Sequence, residues 1–296
     1  MKRILVFTNS KDATADVVMK LAANIECIRF NSDKIQKSRA SFDYTALNGL
    51  IQCDAIWYRR PFEFTMKSRN VETLVRYQEW EEIVWNYFLQ YPQEKWINYP
   101  TRNWYADRKI IQLQQAPLFG LSVPQWIVAS KKKEIMKFIH ENGESLVKPL
   151  STGYIPFGGK LYHIYSTPIK DVDLKFAKNC PTLVQRIIDK DFDVRTLYVD
   201  GKVLFFKMES KNLDVRMDEM KGVRYDLTKP PRKVADSYKK FVHFFGLRFC
   251  TSDFVVDKKG NWFFLENNAN GNWAWLEEHF PGLVVNHFVR SIKCLI

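Results

Sequence analysis

Several things are scarce in this 296-residue chain, and each scarcity removes a class of answer. No apolar run approaches the ~20 residues needed to cross a bilayer. The opening Met-Lys-Arg-Ile-Leu-Val-Phe-Thr-Asn is basic and then apolar, but its apolar part is too short for a signal peptide. It reads as a first core strand, and a cytoplasmic location is expected, with no membrane partner. Cysteine is sparse and odd in number: Cys27, Cys53, Cys180, Cys250 and Cys294 lie far apart with no Cys-x-x-Cys. A disulfide framework or zinc site is therefore not expected. The five histidines show no metal-ligand spacing. Nucleophile elbow, Cys/His dyad and dinucleotide fingerprint are all missing.

What is present is a globular composition, 46% hydrophobic, with a net charge of +12. A basic surface suits nucleic acid, anionic lipid, nucleotide phosphates or an acidic peptide, and spread-out charge does not choose among them.

The pattern predicts strands at 3–8, 26–30, 55–59 and 96–99 with helices at 12–23 and 71–89. Leu74, Tyr77, Gln78, Glu81, Trp85 and Phe88 supply the helical spacing. Thr101 is the expected cap of a helix running to Phe119. Strands at 124–128 and 145–149 flank a basic-faced helix at 131–141. Ser151 to Gly159 reads as a flexible loop. Strands at 182–188, 192–199 and 202–208 follow, the last two joined by the hairpin signal Asp200-Gly201. Helices at 231–245 and 283–292 bracket a final hairpin. The order implies an α/β protein with α+β subdomains, divided as 1–100, 101–180 and 181–296.

The most informative stretch is that hairpin, Asp253-Phe-Val-Val-Asp257-Lys-Lys-Gly260-Asn-Trp-Phe-Phe-Leu-Glu266-Asn-Asn268. A symmetric turn at Asp257 to Gly260 places Asp253 opposite position 264, and 264, 266 and 268 share one side. Asp253, Glu266 and Asn268 would then converge as three oxygen ligands suited to Mg2+. A surface hairpin with scattered acids fits the same spacing.

Other segments read two ways. Lys148, flanked by strand residues, is either a buried ammonium awaiting an anion or an edge-strand lysine in water. The glycines at 153–159 suit phosphates or a plain hairpin turn. Asp193-Val-Arg195 and Asp214-Val-Arg216 offer arginine forks for carboxylate or phosphate, or form cross-strand ion pairs. Trp57-Tyr58-Arg59-Arg60 and Trp273-Ala-Trp275 stack on bases or pack at subdomain junctions. A nucleic-acid-binding protein without enzymatic activity is the rival that the charge and these clusters motivate.

In combination, the segments resemble the ATP-grasp superfamily, over nearly the whole chain. Lys109 and Lys148 match its nucleotide lysines. Val184-Gln185-Arg186-Ile187-Ile188 looks like the hinge that reads adenine through backbone groups. Asp193-Val-Arg195 and Asp214-Val-Arg216 match the Asp-Ile-Arg and Asp-Phe-Arg elements of glutamate ligases that modify a ribosomal protein. Asp253, Glu266 and Asn268 fall on the metal ligands. Within the superfamily, Trp57-Tyr58-Arg59-Arg60-Pro61 and Glu266-Asn-Asn-Ala-Asn-Gly271-Asn-Trp273 look most like the graspetide synthetases of the microviridin and grasp-with-spasm types. Asn272 stands where Gln is usual, Asn267 where an apolar residue is usual, and Arg186 where many relatives carry Glu.

The resemblance implies an ATP-grasp fold with an N-terminal α/β pre-ATP-grasp domain, and ATP and Mg2+ as cofactors. It implies an ADP-forming ligase that activates Asp or Glu side chains of a precursor peptide as acyl phosphates. Ser/Thr hydroxyls or Lys amines of that peptide then close ester or amide rings. Lys109, Lys148, Gln185, Arg186, Ile187, Ile188 and Asp193 would bind nucleotide, while Arg195 and Arg216 would grip the peptide carboxylate. The partner would be a leader plus an acidic core, with no nucleic acid; a homodimer is allowed. A ligase adding a free amino acid to a protein or small acid is the nearer rival.

Overall fold

The computed structural model describes residues 1–37, 50–62, 70–151, 153–157, 160–172, 174–215 and 222–293. Among these, no helix is long and apolar enough to cross a membrane.

The chain opens with β1 (Lys2–Thr8), α1 (Ala13–Leu21) and β2 (Ile25–Asn31). Asp12 caps α1, its Oδ1 accepting from the amides of Thr14 and Ala15. With β3 (Ala55–Tyr58) and β4 (Trp96–Ile97), these strands form a parallel sheet in the order β2-β1-β3-β4. Parallel sheets are covered on both faces, which accounts for Ile4, Leu5, Val6 and Phe7 all being buried. On one face lies α2 (Val71–Phe88), whose Phe88 stacks on Phe7 with ring centroids 3.8 Å apart.

The helix predicted from Thr101 differs in two respects. It begins two residues earlier, as α3 (Pro100–Ala106) with Tyr99 rather than Thr101 in the cap position, because proline is pre-shaped for a first turn and its missing N–H is not needed there. It also breaks at Asp107 and resumes as α4 (Lys109–Gln115), followed by a tight turn at Ala116–Phe119. The break frees Asp107 to accept the Ala269 amide at 3.0 Å. Gln112 of α4 holds both backbone groups of Asn267 at 2.8 Å.

The central unit contains β5 (Trp126–Ala129), α5 (Lys132–Asn142), β6 (Ser145–Lys148), β7 (Tyr154–Phe157), β8 (Lys160–His163), β9 (Thr167–Pro168) and β10 (Thr182–Arg186). An antiparallel sheet runs β5-β10-β6-β9, and β7 pairs with β8 separately. The expected loop at 151–159 is thus largely the first half of a hairpin, although Thr152, Gly158 and Gly159 lie outside the described residues. Helix α5 covers one face of the sheet, packing Ile135 and Phe138 on Ala129 and Val184.

The C-terminal unit comprises β11 (Lys190–Val199), β12 (Lys202–Glu209), β13 (Arg224–Leu227), α6 (Arg232–Phe244), β14 (Phe249–Asp257), β15 (Trp262–Asn268), α7 (Leu276–His279) and α8 (Val284–Lys293). Its sheet runs β13-β12-β11-β14-β15. Asp200 and Gly201 join β11 to β12 with φ of 45° and 79°, the doubly positive pattern that a tight hairpin requires. Helix α6 packs Tyr238, Phe241 and neighbouring Phe245 on one face. The other face is apolar at one end, where Leu197 and Phe206 meet Phe288 of α8 and Ile4, Val6 and Trp57 of the parallel sheet. That shared core joins the first unit to the last, and the remaining end of the same face is polar.

Candidate functional site

The polar end is built by register. On β11, β14 and β15, Arg195 lies directly opposite Asp253, and Asp253 directly opposite Glu266. This differs from the symmetric-turn expectation, which set Asp253 against 264. Phe264 instead faces Phe254, because the turn runs from Asp257 to Asn261 and a bulge at Leu265 shifts the strand once more. The bulge brings Glu266 to the place where it meets Asp253, and Asn268 follows two residues on, its amide 3.5 Å from Glu266.

Arg195 forks onto Asp253, one terminal nitrogen lying 2.7 Å from each carboxylate oxygen; the other donates to the Asn272 carbonyl at 2.9 Å. Lys109 bridges to the central unit, donating to the Pro149 carbonyl at 2.7 Å with its ammonium 3.6 Å from Glu266. In the central sheet, Lys148 and Val128 face Leu183, while Leu146 and Trp126 face Gln185. Side chains two apart share a face, so Lys148 and Gln185 look out from the side opposite α5. The two sheets wall one cleft, with Lys109 spanning it.

Charges in the cleft act on one another. Burial would push Glu266 up, but Lys109 and then Lys148 hold its carboxyl below the usual range. Burial pushes Asp253 up against the pull of Arg195, and the facing Glu266 charge adds to the rise. Burial drives the Lys148 ammonium down, with Glu266 as the chief opposing acid. Asp193 sits beside Lys190 on the same wall, and burial pushes it up to about 6 despite that partner. Asp214 accepts the Ser166 amide at 3.3 Å.

Among the described residues, no group of three or more His, Cys, Asp or Glu is placed to hold a metal; the candidate set is two carboxylates and one amide. Oxygen donors of that kind suit a hydrated Mg2+. The opposite wall fits an anionic nucleotide: Lys148 is a half-buried cation, and the buried Gln185 Nε2 has no hydrogen-bond partner. The amides of Arg186 and Ile187 are already bonded to the carbonyls of Gln125 and Glu144. Arg216 lies outside the described residues.

The aromatic-basic clusters pack rather than stack on a partner. Trp57 and Trp273 are both buried against Phe288. Arg59 is buried too, paired with Asp12 at 3.1 Å. Sequence reasoning does not single out Asp107, Gln112 or Arg59 as site-building residues, because their partners lie more than 150 positions away, or 47 in the case of Asp12. Gly271 carries a signal that only the structure makes readable. A Cβ there would come within 1.6 Å of Thr251 Oγ1 and 3.1 Å of an Arg195 terminal nitrogen. The backbone approaches so closely that a side chain has no room.

No family model matches the chain, and no curated relative matches it. Solved structures do. The macrocyclase MdnC of Microcystis aeruginosa, bound with precursor peptide MdnA, superimposes with a TM-score of 0.81 at 18% identity, covering 99% of each chain. A RiPP-associated ATP-grasp ligase of Chryseobacterium gregarium, in complex with ADP and a leader and core peptide, gives 0.79 at 20% identity over 99% of this chain and 95% of that one. The ATP-grasp ligase PsnB, complexed with a minimal precursor, gives 0.78 at 18% identity over 100% of both. The expected ATP-grasp fold is therefore the fold of this chain.

Proposed function

We propose that the protein is an ADP-forming ligase that activates side-chain carboxylates of a precursor peptide and joins them to Ser/Thr hydroxyls or Lys amines of the same peptide. One observation carries the reading: in a chain that shares its fold end to end with peptide-bound ligases, the cleft sets two facing carboxylates and an amide against two lysines.

Bound ATP with Mg2+ would supply the phosphoryl group that turns a carboxylate oxygen into a leaving group, and the countercharge for it. The protein supplies positions and charge. Asp253, Glu266 and Asn268 would hold the metal. Lys109 and Lys148 would meet the phosphates. Gln185 and the chain from Arg186 to Ile188 would lie along the base. An adenine read there must use groups other than the Arg186 and Ile187 amides, which the protein already employs. Asp193, protonated more readily than an ordinary carboxyl, would stand near the ribose. Arg195 would orient Asp253 from its seat on the Asn272 carbonyl and lend its positive charge to the peptide carboxylate, with Arg216 as second fork. The net charge of +12 favours an acidic core segment.

The test is mass spectrometry of a synthetic acidic peptide carrying Asp or Glu together with Ser, Thr and Lys, taken from a short reading frame beside the gene if one is found there, incubated with the protein, ATP and Mg2+. Ring closure removes the mass of one water per crosslink. A mass gain of one amino-acid residue would instead establish the free-amino-acid ligase, and an unchanged peptide with no ADP formed would refute ligation.

A further inference from the structure

The buried arginine of the first unit touches the loop that follows the candidate metal ligands, and the contacts are dense. Arg59 Nε and one terminal nitrogen hold the Asp12 carboxylate at 3.1 and 3.3 Å. Its other terminal nitrogen donates to the carbonyls of Asn270 at 3.4 Å and Gly271 at 3.3 Å. The nitrogen on Asp12 also reaches Asn272 Oδ1 at 3.2 Å. Arg60 donates to the Asn270 carbonyl as well, at 3.1 and 3.2 Å. The same Asn272 is shared: its side-chain oxygen accepts from Arg59 while its carbonyl accepts from Arg195, the arginine forked onto Asp253. The loop cannot move toward the sheet, because at Gly271 it already lies against Thr251 and Arg195. At its start, Ala269 is fixed through its amide by Asp107 and through its carbonyl by Asn98.

We propose that Arg59 is a positioning residue for the metal site: it clamps residues 270–272 so that Asn272 seats Arg195, and Arg195 seats Asp253. The inference rests on the ligase reading above and adds that the N-terminal unit completes the metal site without contributing a ligand. A guanidinium serves here because its planar fork spans the carboxylate and three loop oxygens at once, whereas an ammonium keeps the charge and loses the span. Side chains that orient metal ligands from one layer out typically change metal affinity by roughly 10- to 100-fold.

The experiment is titration of Mn2+, followed by its electron paramagnetic resonance signal, into protein saturated with a non-hydrolysable ATP analogue. Melting temperatures and metal-free analogue affinity are measured beside it. Arg59→Lys should weaken Mn2+ binding by about 10-fold with metal-free analogue affinity unchanged. Asn272→Ala, at an exposed position, should weaken it less and melt as wild type does. Arg59→Lys with wild-type Mn2+ affinity, or with analogue and metal affinity lost in equal measure, overturns the proposal. Should Arg59→Lys not fold, unchanged Mn2+ affinity in Asn272→Ala overturns it. A wild-type protein that takes up neither Mn2+ nor analogue fails the ligase reading itself, and the clamp with it.

Discussion

The two walls of the cleft handle charge in opposite ways. On the five-stranded sheet the charges answer each other in a row, with Arg195 forked on Asp253, Asp253 opposite Glu266, and Glu266 near Lys109. On the four-stranded sheet burial outweighs the answer, which reaches Lys148 chiefly from Glu266 across the cleft. Burial weighs on Lys148, and the Gln185 amide is buried with no acceptor. A buried polar group without a partner costs stability. The contrast separates a wall that is complete in itself from one that a ligand would complete. The first suits a metal, whose ligands must be pre-set; the second suits an anion that brings its own oxygens.

Substitutions can break this comparison. Glu266→Gln removes the acid that faces Asp253 and should lower crosslink formation by roughly 100-fold or more, read by peptide mass, with a cooperative melt retained. Arg195→Met leaves Asp253 partly buried without its fork and should cost the ligand-free protein about 3 kcal/mol in urea denaturation. The first wall also has one unsettled member. Folded Asp193 keeps its proton to about pH 6, whereas its ordinary value is 3.8. The folded state therefore binds more protons across that window, and stability falls as pH rises from 3.8 toward 6, then levels. Asp193→Asn should flatten that slope, by about 3 kcal/mol at most, in denaturation run at a series of pH values. Lys148→Met should behave unlike Arg195→Met: the ligand-free protein should melt at the same or a higher temperature, while nucleotide binding weakens by about 2 kcal/mol in calorimetry. Lys148→Met that unfolds like Arg195→Met would erase the distinction between the walls.

Local chemistry makes part of this legible in the sequence itself. The helix at 12–23, the Asp200-Gly201 turn and the alternating residues on either side of Asp257 to Gly260 carry their geometry in a few neighbouring side chains. Asp253, Glu266 and Asn268 fall on the right strands for the same reason. The parts that stayed hidden depend on distant partners. The bulge at Leu265 shifts register by an amount no turn signal encodes, and it decides which residue meets Asp253. The break at Asp107 is favoured by an amide more than 160 residues away. Strand β13 alternates as Arg-Tyr-Asp-Leu, but four residues at a sheet edge are too few for the pattern to stand out. Arg59 reads as part of an aromatic-basic cluster that stacks on bases or packs at a subdomain junction; the fold selects the junction, and the partners, Asp12 and the loop at 270–272, are what the sequence does not name.

The most direct test is a crystal soaked with Mg2+ and a non-hydrolysable ATP analogue. The expected density has the triphosphate between Lys148 and Lys109, and the ion on Asp253, Glu266 and Asn268. An analogue bound elsewhere, with those three side chains holding no ion, would contradict the account.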